Sequence, residues 1–217
     1  MTDTQFRMKY ISYCFAKVIR ILTVPPFLAA VLVLVLFFTK GAFRGFGLPV
    51  SLFSLCVLPL ASYALWYAVP ALKRGGRASQ RKVAVICSVL GYLLNTAYVL
   101  FNGAAGCERL AVFTYLFSGI ITAVLSFVFR VKSSGHACGV SGPAFLLSIA
   151  VHPLFALMGL LLIPVFRSSL MLKRHSIAEL ITGTAVPVLV QLVLLLTGIH
   201  GVYLGVVLQL RHMLLQK

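Results

Sequence analysis

The stretch ILTVPPFLAAVLVLVLFFT, residues 21–39, decides the fold. It carries no ionisable side chain from end to end. A helix needs about 20 such residues to cross the hydrocarbon core of a bilayer. Pro25-Pro26 suit a first helical turn, where the missing N–H would have no partner anyway. The run is long and further runs follow it, so it reads as a first span and not as a cleaved signal. Working outward, similar runs lie at about Leu48–Leu72, Val83–Phe101 (interrupted by Asn95), Leu110–Val131 and Ile177–Thr197. From His136 to Arg167 the chain is apolar except for His152-Pro153. The residue before a proline resists the helical conformation. Two shorter helices are therefore expected, about His136–Val151 and Pro153–Phe166. The expectation is an all-α, multi-pass transmembrane helix bundle of seven spans, with six and eight as its bounds. Residues 1–217 form a single integral membrane domain, in which 1–109 hold the N-terminal spans. The tail 198–217 reads as an interfacial or short eighth helix.

The whole composition agrees with that run. Of 217 residues, 61% are hydrophobic and 10% charged, with a mean hydropathy of +1.05. Soluble domains are about a quarter charged, and disordered chains are poor in Leu, Ile, Val and Phe. Both classes are excluded. Lys and Arg number 19 and the acids three, for a net charge of +16. In a soluble protein that excess would point to nucleic acid. In a membrane protein it reads as topology and contact with anionic lipid, so the expected partners are the bilayer and a membrane lipid, with no nucleic acid. The five cysteines lack a CxxC pair and read as small buried hydrophobes, with no disulfide framework or metal site.

Seven spans sort the basic residues by side. The side of the N-terminus receives Arg7, Lys9, Lys17 and Arg20, a loop with Lys73, Arg74, Arg77, Arg81 and Lys82, then Arg130, Lys132, Arg167, Lys173 and Arg174. The other side receives Lys40, Arg44 and Arg109, the last in a short loop Asn102–Arg109 that also holds Glu108. The positive-inside rule places the first side in the cytoplasm.

Two polar segments fall on that same side. Arg130-Val131-Lys132-Ser133-Ser134-Gly135-His136 opens one apolar helix, and Arg167-Ser168-Ser169 followed by Lys173-Arg174-His175 opens another. Polar groups at membrane depth are costly and mark function by default. A Ser-Gly helix start offers free N–H groups and the positive end of the helix dipole, which is an anion site. His175 and Glu179 are four residues apart, hence on one helix face. A carboxylate there can fix the imidazole tautomer and leave the second nitrogen free as a nucleophile. Asp3 is terminal and Glu108 lies on the other side, so Glu179 is the one acid available. His152, His200 and His212 read as ordinary residues, and Gly135, Gly139 and Gly142 as close helix packing.

These segments resemble the motifs of the type 2 phosphatidic acid phosphatase superfamily, the integral-membrane lipid phosphatases. That family carries Lys-x6-Arg-Pro, then Pro-Ser-Gly-His, then Ser-Arg-x5-His-x3-Asp. Ser133-Ser134-Gly135-His136 looks like the second motif, with Ser in place of Pro. Ser168-Ser169, five residues, then His175-x3-Glu179 looks like the third, with Glu for Asp and Ser169 where the Arg stands. Arg74-x6-Arg81 has the spacing of the first motif but lies two spans before the second; Lys132, with Arg130, is read as its replacement. The resemblance covers about Leu110–Thr197, a phosphatase-like helical core over 110–197.

The resemblance implies hydrolysis of a lipid phosphate or isoprenoid (di)phosphate through a phosphohistidine, without metal or other cofactor. His175 would attack phosphorus, Glu179 would orient it, and His136 would protonate the leaving oxygen and then activate water. Lys132, Ser133, Ser134, Gly135 and Arg130 would hold the phosphoryl oxygens, and Arg167 or Arg174 would stand in for the missing Arg. A head-group phosphotransferase on the same fold is the alternative, as is an inactive channel or assembly protein. The expected location is a bacterial or archaeal cell membrane. Members of the family commonly face outward there, against the charge count.

Overall fold

A computed structural model describes residues 3–104 and 106–198, with side chains from residue 13 onward. The described residues form helices and connecting turns, with no strand. Helix α1 covers Asp3–Leu22 and α2 Pro25–Lys40, joined at Thr23-Val24. Val24 is extended, and the Pro pair occupies the first turn of α2 as expected. Helices α3 (Gly47–Leu52) and α4 (Leu58–Ala68) continue each other through a π turn at Phe53–Val57. Then come α5 (Pro70–Arg74), α6 (Gly76–Asn102), α7 (Gly106–Phe127) and α8 (Gly135–Ala150). A 3₁₀ segment, Pro153–Leu161, runs into α9 (Leu162–Met171), and α10 covers Ile177–Thr197.

Six stretches are long and apolar enough to cross a membrane, so the protein is a multi-pass membrane protein. They are Tyr13–Lys40, Gly47–Ala68, Gly76–Asn102, Gly106–Phe127, Pro153–Met171 and Ile177–Thr197. Helix α8 is apolar and shorter, at 16 residues, which is about 24 Å of rise. It runs away from the polar segments, and Pro153–Met171 returns to them. The bend between falls at His152, which is extended and whose Nδ1 accepts from the Leu154 N–H at 3.2 Å. Large apolar side chains ring the outside, with Phe38 78%, Phe101 89% and Leu196 86% exposed. Such a surface needs lipid around it. The expected tail helix after Gly198, with His200 and His212, lies outside the described residues.

Several expectations need correction. The basic loop Lys73–Lys82 is helical: Lys73 and Arg74 end α5, and Arg77, Arg81 and Lys82 lie in the first turns of α6. Arg and Lys are good helix formers, so hydropathy marked the lipid-facing part of α6 and not its start. Glu108 and Arg109 likewise belong to the first turn of α7, where both are buried. An acid there suits the helix dipole, and Glu108 Oε2 accepts from the Phe43 N–H at 2.9 Å. The cysteines are half-buried, not fully buried.

Lipid gives helices little hydrophobic reason to associate, so close packing and polar ties decide the arrangement. Ser51 Oγ donates to Asn95 Oδ1 at 3.0 Å, which joins α3 to α6 through a fully buried Asn. Gln191 Nε2 donates to the Gly142 carbonyl at 2.9 Å and joins α10 to α8. A Cβ on Gly139 would stand 2.8 Å from the Pro25 Cβ, and one on Gly142 3.3 Å from that of Pro187. Those two glycines pack helices, as expected. Gly135 does not, for it faces open space at the start of α8.

Candidate functional site

The two polar segments meet at one end of the bundle, and backbone atoms join them. The Ser134 N–H donates to the Glu179 carbonyl at 3.0 Å. A Cβ on Gly183 would collide with the Ser134 carbonyl oxygen and lie 3.0 Å from its amide nitrogen. Glycine at 183 is what lets α10 seat against the start of α8. Each segment also bends through a basic residue in the left-handed region, Arg130 at φ 56° and Lys173 at φ 49°. Such a backbone costs about 1–2 kcal/mol in an L-residue. At Lys173 the turn closes with the Arg174 N–H on the Ser169 carbonyl at 2.9 Å, which aims His175 back over the cleft.

Both helix starts are capped by serine. Ser134 Oγ accepts from the Ala137 N–H at 3.4 Å, and Ser176 Oγ from the Glu179 N–H at 3.3 Å. Ser176-x-x-Glu179 has the form of a capping box, in which the acid would fold back onto the Ser176 N–H. Instead Glu179 Oε2 lies 2.8 Å from His175 Nδ1. A carboxylate can only accept, so Nδ1 carries the proton and Nε2 is left with its lone pair. The two side chains are 12% and 22% exposed. Burial holds the His175 imidazole below its ordinary pKa. Glu179 pulls the other way, and Arg81 and Arg20 push it down further. The ring is therefore neutral near pH 7.

An open cleft of about 400 Å³ is lined by Lys132, Leu170, Lys173, Arg174, His175, Ser176 and Glu179. Beneath it, Ser133 and Ser134 are buried, and Ser133 Oγ has no hydrogen-bond partner. The structure thus gathers Lys132, Ser133, Ser134, Gly135, His136, Arg174, His175 and Glu179 at one place. Arg130 and Arg167 are exposed and line no part of the cleft. His136 sits deeper, against α1. Its Nε2 is 3.1 Å from the Arg20 carbonyl oxygen, and its Nδ1 is 3.4 Å from an Arg20 guanidinium nitrogen. The carbonyl can only accept, so Nε2 bears the proton in this arrangement.

Two arginines outside the polar segments join the site. Arg81 donates to the Ser133 carbonyl at 3.1 Å and lies within electrostatic reach of Glu179. Arg20 donates to Ser169 Oγ at 2.9 Å. For Arg81 the sequence held a signal in its spacing from Arg74; its distance along the chain from Ser133 hid the role. For Arg20 the signal was weaker, a basic residue one turn ahead of Pro25-Pro26. Lys132, Lys173 and Arg174 line the cleft beside a single acid, Arg81 is within electrostatic reach of that acid and Arg20 within reach of His175, and the acid is bonded to His175.

No protein-family model, curated protein or solved structure matches the chain.

Proposed function

We propose that the protein is an integral-membrane phosphatase acting on a lipid phosphate or isoprenoid (di)phosphate through a phosphohistidine. The observation that carries this reading is the charge imbalance around His175. Lys132, Lys173 and Arg174 line the cleft with one carboxylate, Arg81 lies within electrostatic reach of it, and that carboxylate is engaged by the imidazole. Charges near a bilayer without counterions are costly. A phosphoryl dianion supplies what the cleft lacks. The unpartnered Ser133 Oγ and the free N–H groups at the start of α8 add donors to it.

The chemistry follows from which nitrogens are free. His175 Nε2 attacks phosphorus while the P–O bond to the lipid breaks. Glu179, on Nδ1–H, holds the ring in the attacking tautomer and stabilises the charge that develops on it. His136 first takes the acidic proton of a monoanionic phosphoryl group and gives that proton to the departing lipid oxygen. It then takes one from a water that attacks the phosphohistidine and breaks the P–N bond, releasing phosphate. Lys132 and Arg174 hold the equatorial oxygens; positioning and charge stabilisation carry most of phosphoryl transfer. The substrate's apolar part stays in the bilayer beside a surface already apolar, with its head group at the cleft. The location that goes with this reading is a bacterial or archaeal cell membrane, with the site on the side richer in basic residues.

The test is a panel of lipid phosphates and isoprenoid diphosphates given to purified protein, with released phosphate measured. Turnover of at least one class supports the reading. Transfer of the phosphoryl group to an added alcohol without free phosphate makes the protein a transferase. No reaction with any member points to a non-catalytic role.

A further inference from the structure

We infer that Arg20, on α1, is a phosphate-binding residue of this site, and that its guanidinium frees His136 for proton transfer when it moves onto the phosphoryl group. The inference rests on the phosphatase reading.

The placement comes from packing of α1 on α9. Ala16 is 2% exposed there, and Ile19 packs against the small core of Leu28, Val140 and Val165. One residue on, the Arg20 side chain turns into the site. Its guanidinium meets Ser169 Oγ at 2.9 Å and His136 Nδ1 at 3.4 Å. Arg174 and His175 are within electrostatic reach. A half-buried guanidinium normally takes a carboxylate as partner. Here a hydroxyl and a neutral imidazole occupy it, and both are weak partners for a cation. A phosphoryl oxygen on His175's side is the stronger one, since a guanidinium offers a fork of donors that matches phosphate.

The exchange has a consequence for His136. With the guanidinium drawn off, Nδ1 has its lone pair free and can take and give a proton. The Arg20 carbonyl still holds Nε2–H at 3.1 Å and keeps the ring in place. Proton movement then balances on one atom. Nδ1 takes the acidic proton of the bound phosphoryl monoanion, passes it to the leaving oxygen, then recovers one from the attacking water and returns it to the departing phosphate. One residue of α1 thereby both grips the substrate and releases its acid.

The experiment measures competitive inhibition by inorganic phosphate, together with kcat and thermal unfolding, in detergent. Arg20→Ala is expected to weaken phosphate inhibition by about 10–100-fold, the range of a lost charge-assisted contact, and to lower kcat. Arg20→Lys is expected to recover part of the binding. The double variant Arg20→Ala with Ser169→Arg returns a guanidinium from the facing helix, and is expected to regain at least ten-fold of the lost binding. Phosphate inhibition of Arg20→Ala within two-fold of wild type overturns the inference while the parent reading stands. So does a loss of binding matched by a loss of thermal stability that neither the Lys variant nor the double variant corrects. A wild-type protein that neither hydrolyses the lipid panel nor binds phosphate overturns both.

Discussion

Gly183→Ala tests the joint between the two polar segments with the smallest possible change. The added Cβ would meet Ser134 backbone on three sides: the carbonyl oxygen in collision, the amide nitrogen at 3.0 Å and the carbonyl carbon at 3.1 Å. Carbon contacts prefer about 3.5–4.0 Å, so α8 and α10 must part by roughly half an ångström or more. Neither side can yield by rotating a side chain, because the obstacle is backbone. Overpacking of this kind costs about 1–3 kcal/mol. The Ser134 N–H to Glu179 carbonyl bond, 3.0 Å long, stretches with it and forfeits about 1 kcal/mol. A total of about 2–4 kcal/mol is a large part of a typical domain's stability. The joint also sets the separation of His136 from His175, and a misplacement near 1 Å can cost about 100-fold in rate. The assay is thermal unfolding in detergent together with phosphate release. Gly106→Ala serves as control, since nothing lies within 4 Å of a Cβ there. Unchanged unfolding and unchanged turnover in Gly183→Ala would mean that the close approach of α10 to Ser134 does not hold the two segments together.

Other outcomes follow from the same geometry. His175→Ala and His136→Ala are each expected to abolish phosphate release, whereas His152→Ala, which loses a bend-capping contact at the opposite end, retains turnover within a few-fold. Because burial lowers the His175 pKa, its free base persists as pH falls, and the acid limb of kcat/KM should lie below the ordinary histidine value of about 6.5. Glu179→Gln removes the one group that raises that pKa, so the limb should move lower still. The plateau rate should also fall by about 10–100-fold, as expected for loss of a hydrogen bond to a charged group. A limb that moves up, or a plateau that does not fall, would count against the assigned pairing.

The parts of the fold legible in the sequence are those that lipid enforces. Runs such as 21–39 have no alternative in water, and His152-Pro153 divided the long apolar stretch where the chain does bend. What hydropathy could not give was where helices start. Arg77, Arg81 and Lys82 looked like a loop because they are charged, yet charge at the interface does not end a helix. The same error placed Glu108 and Arg109 in a loop. At the site, the pairing of His175 with Glu179 was legible because it is local, fixed by spacing on one helix. The partners of His136 and Ser133 were not. Arg20 and Arg81 arrive from more than 50 positions away in the chain, through the packing of α1 on α9 and the long α6, and no motif spacing records that.

The most direct measurement is capture of the covalent intermediate. Purified protein turning over a lipid substrate labelled at phosphorus is quenched in denaturant, digested, and examined for label. An acid-labile, base-stable phosphoryl group is expected on His175 and is absent from His175→Ala. Steady phosphate release with label never found on His175, or label retained after His175→Ala, would contradict the phosphohistidine mechanism.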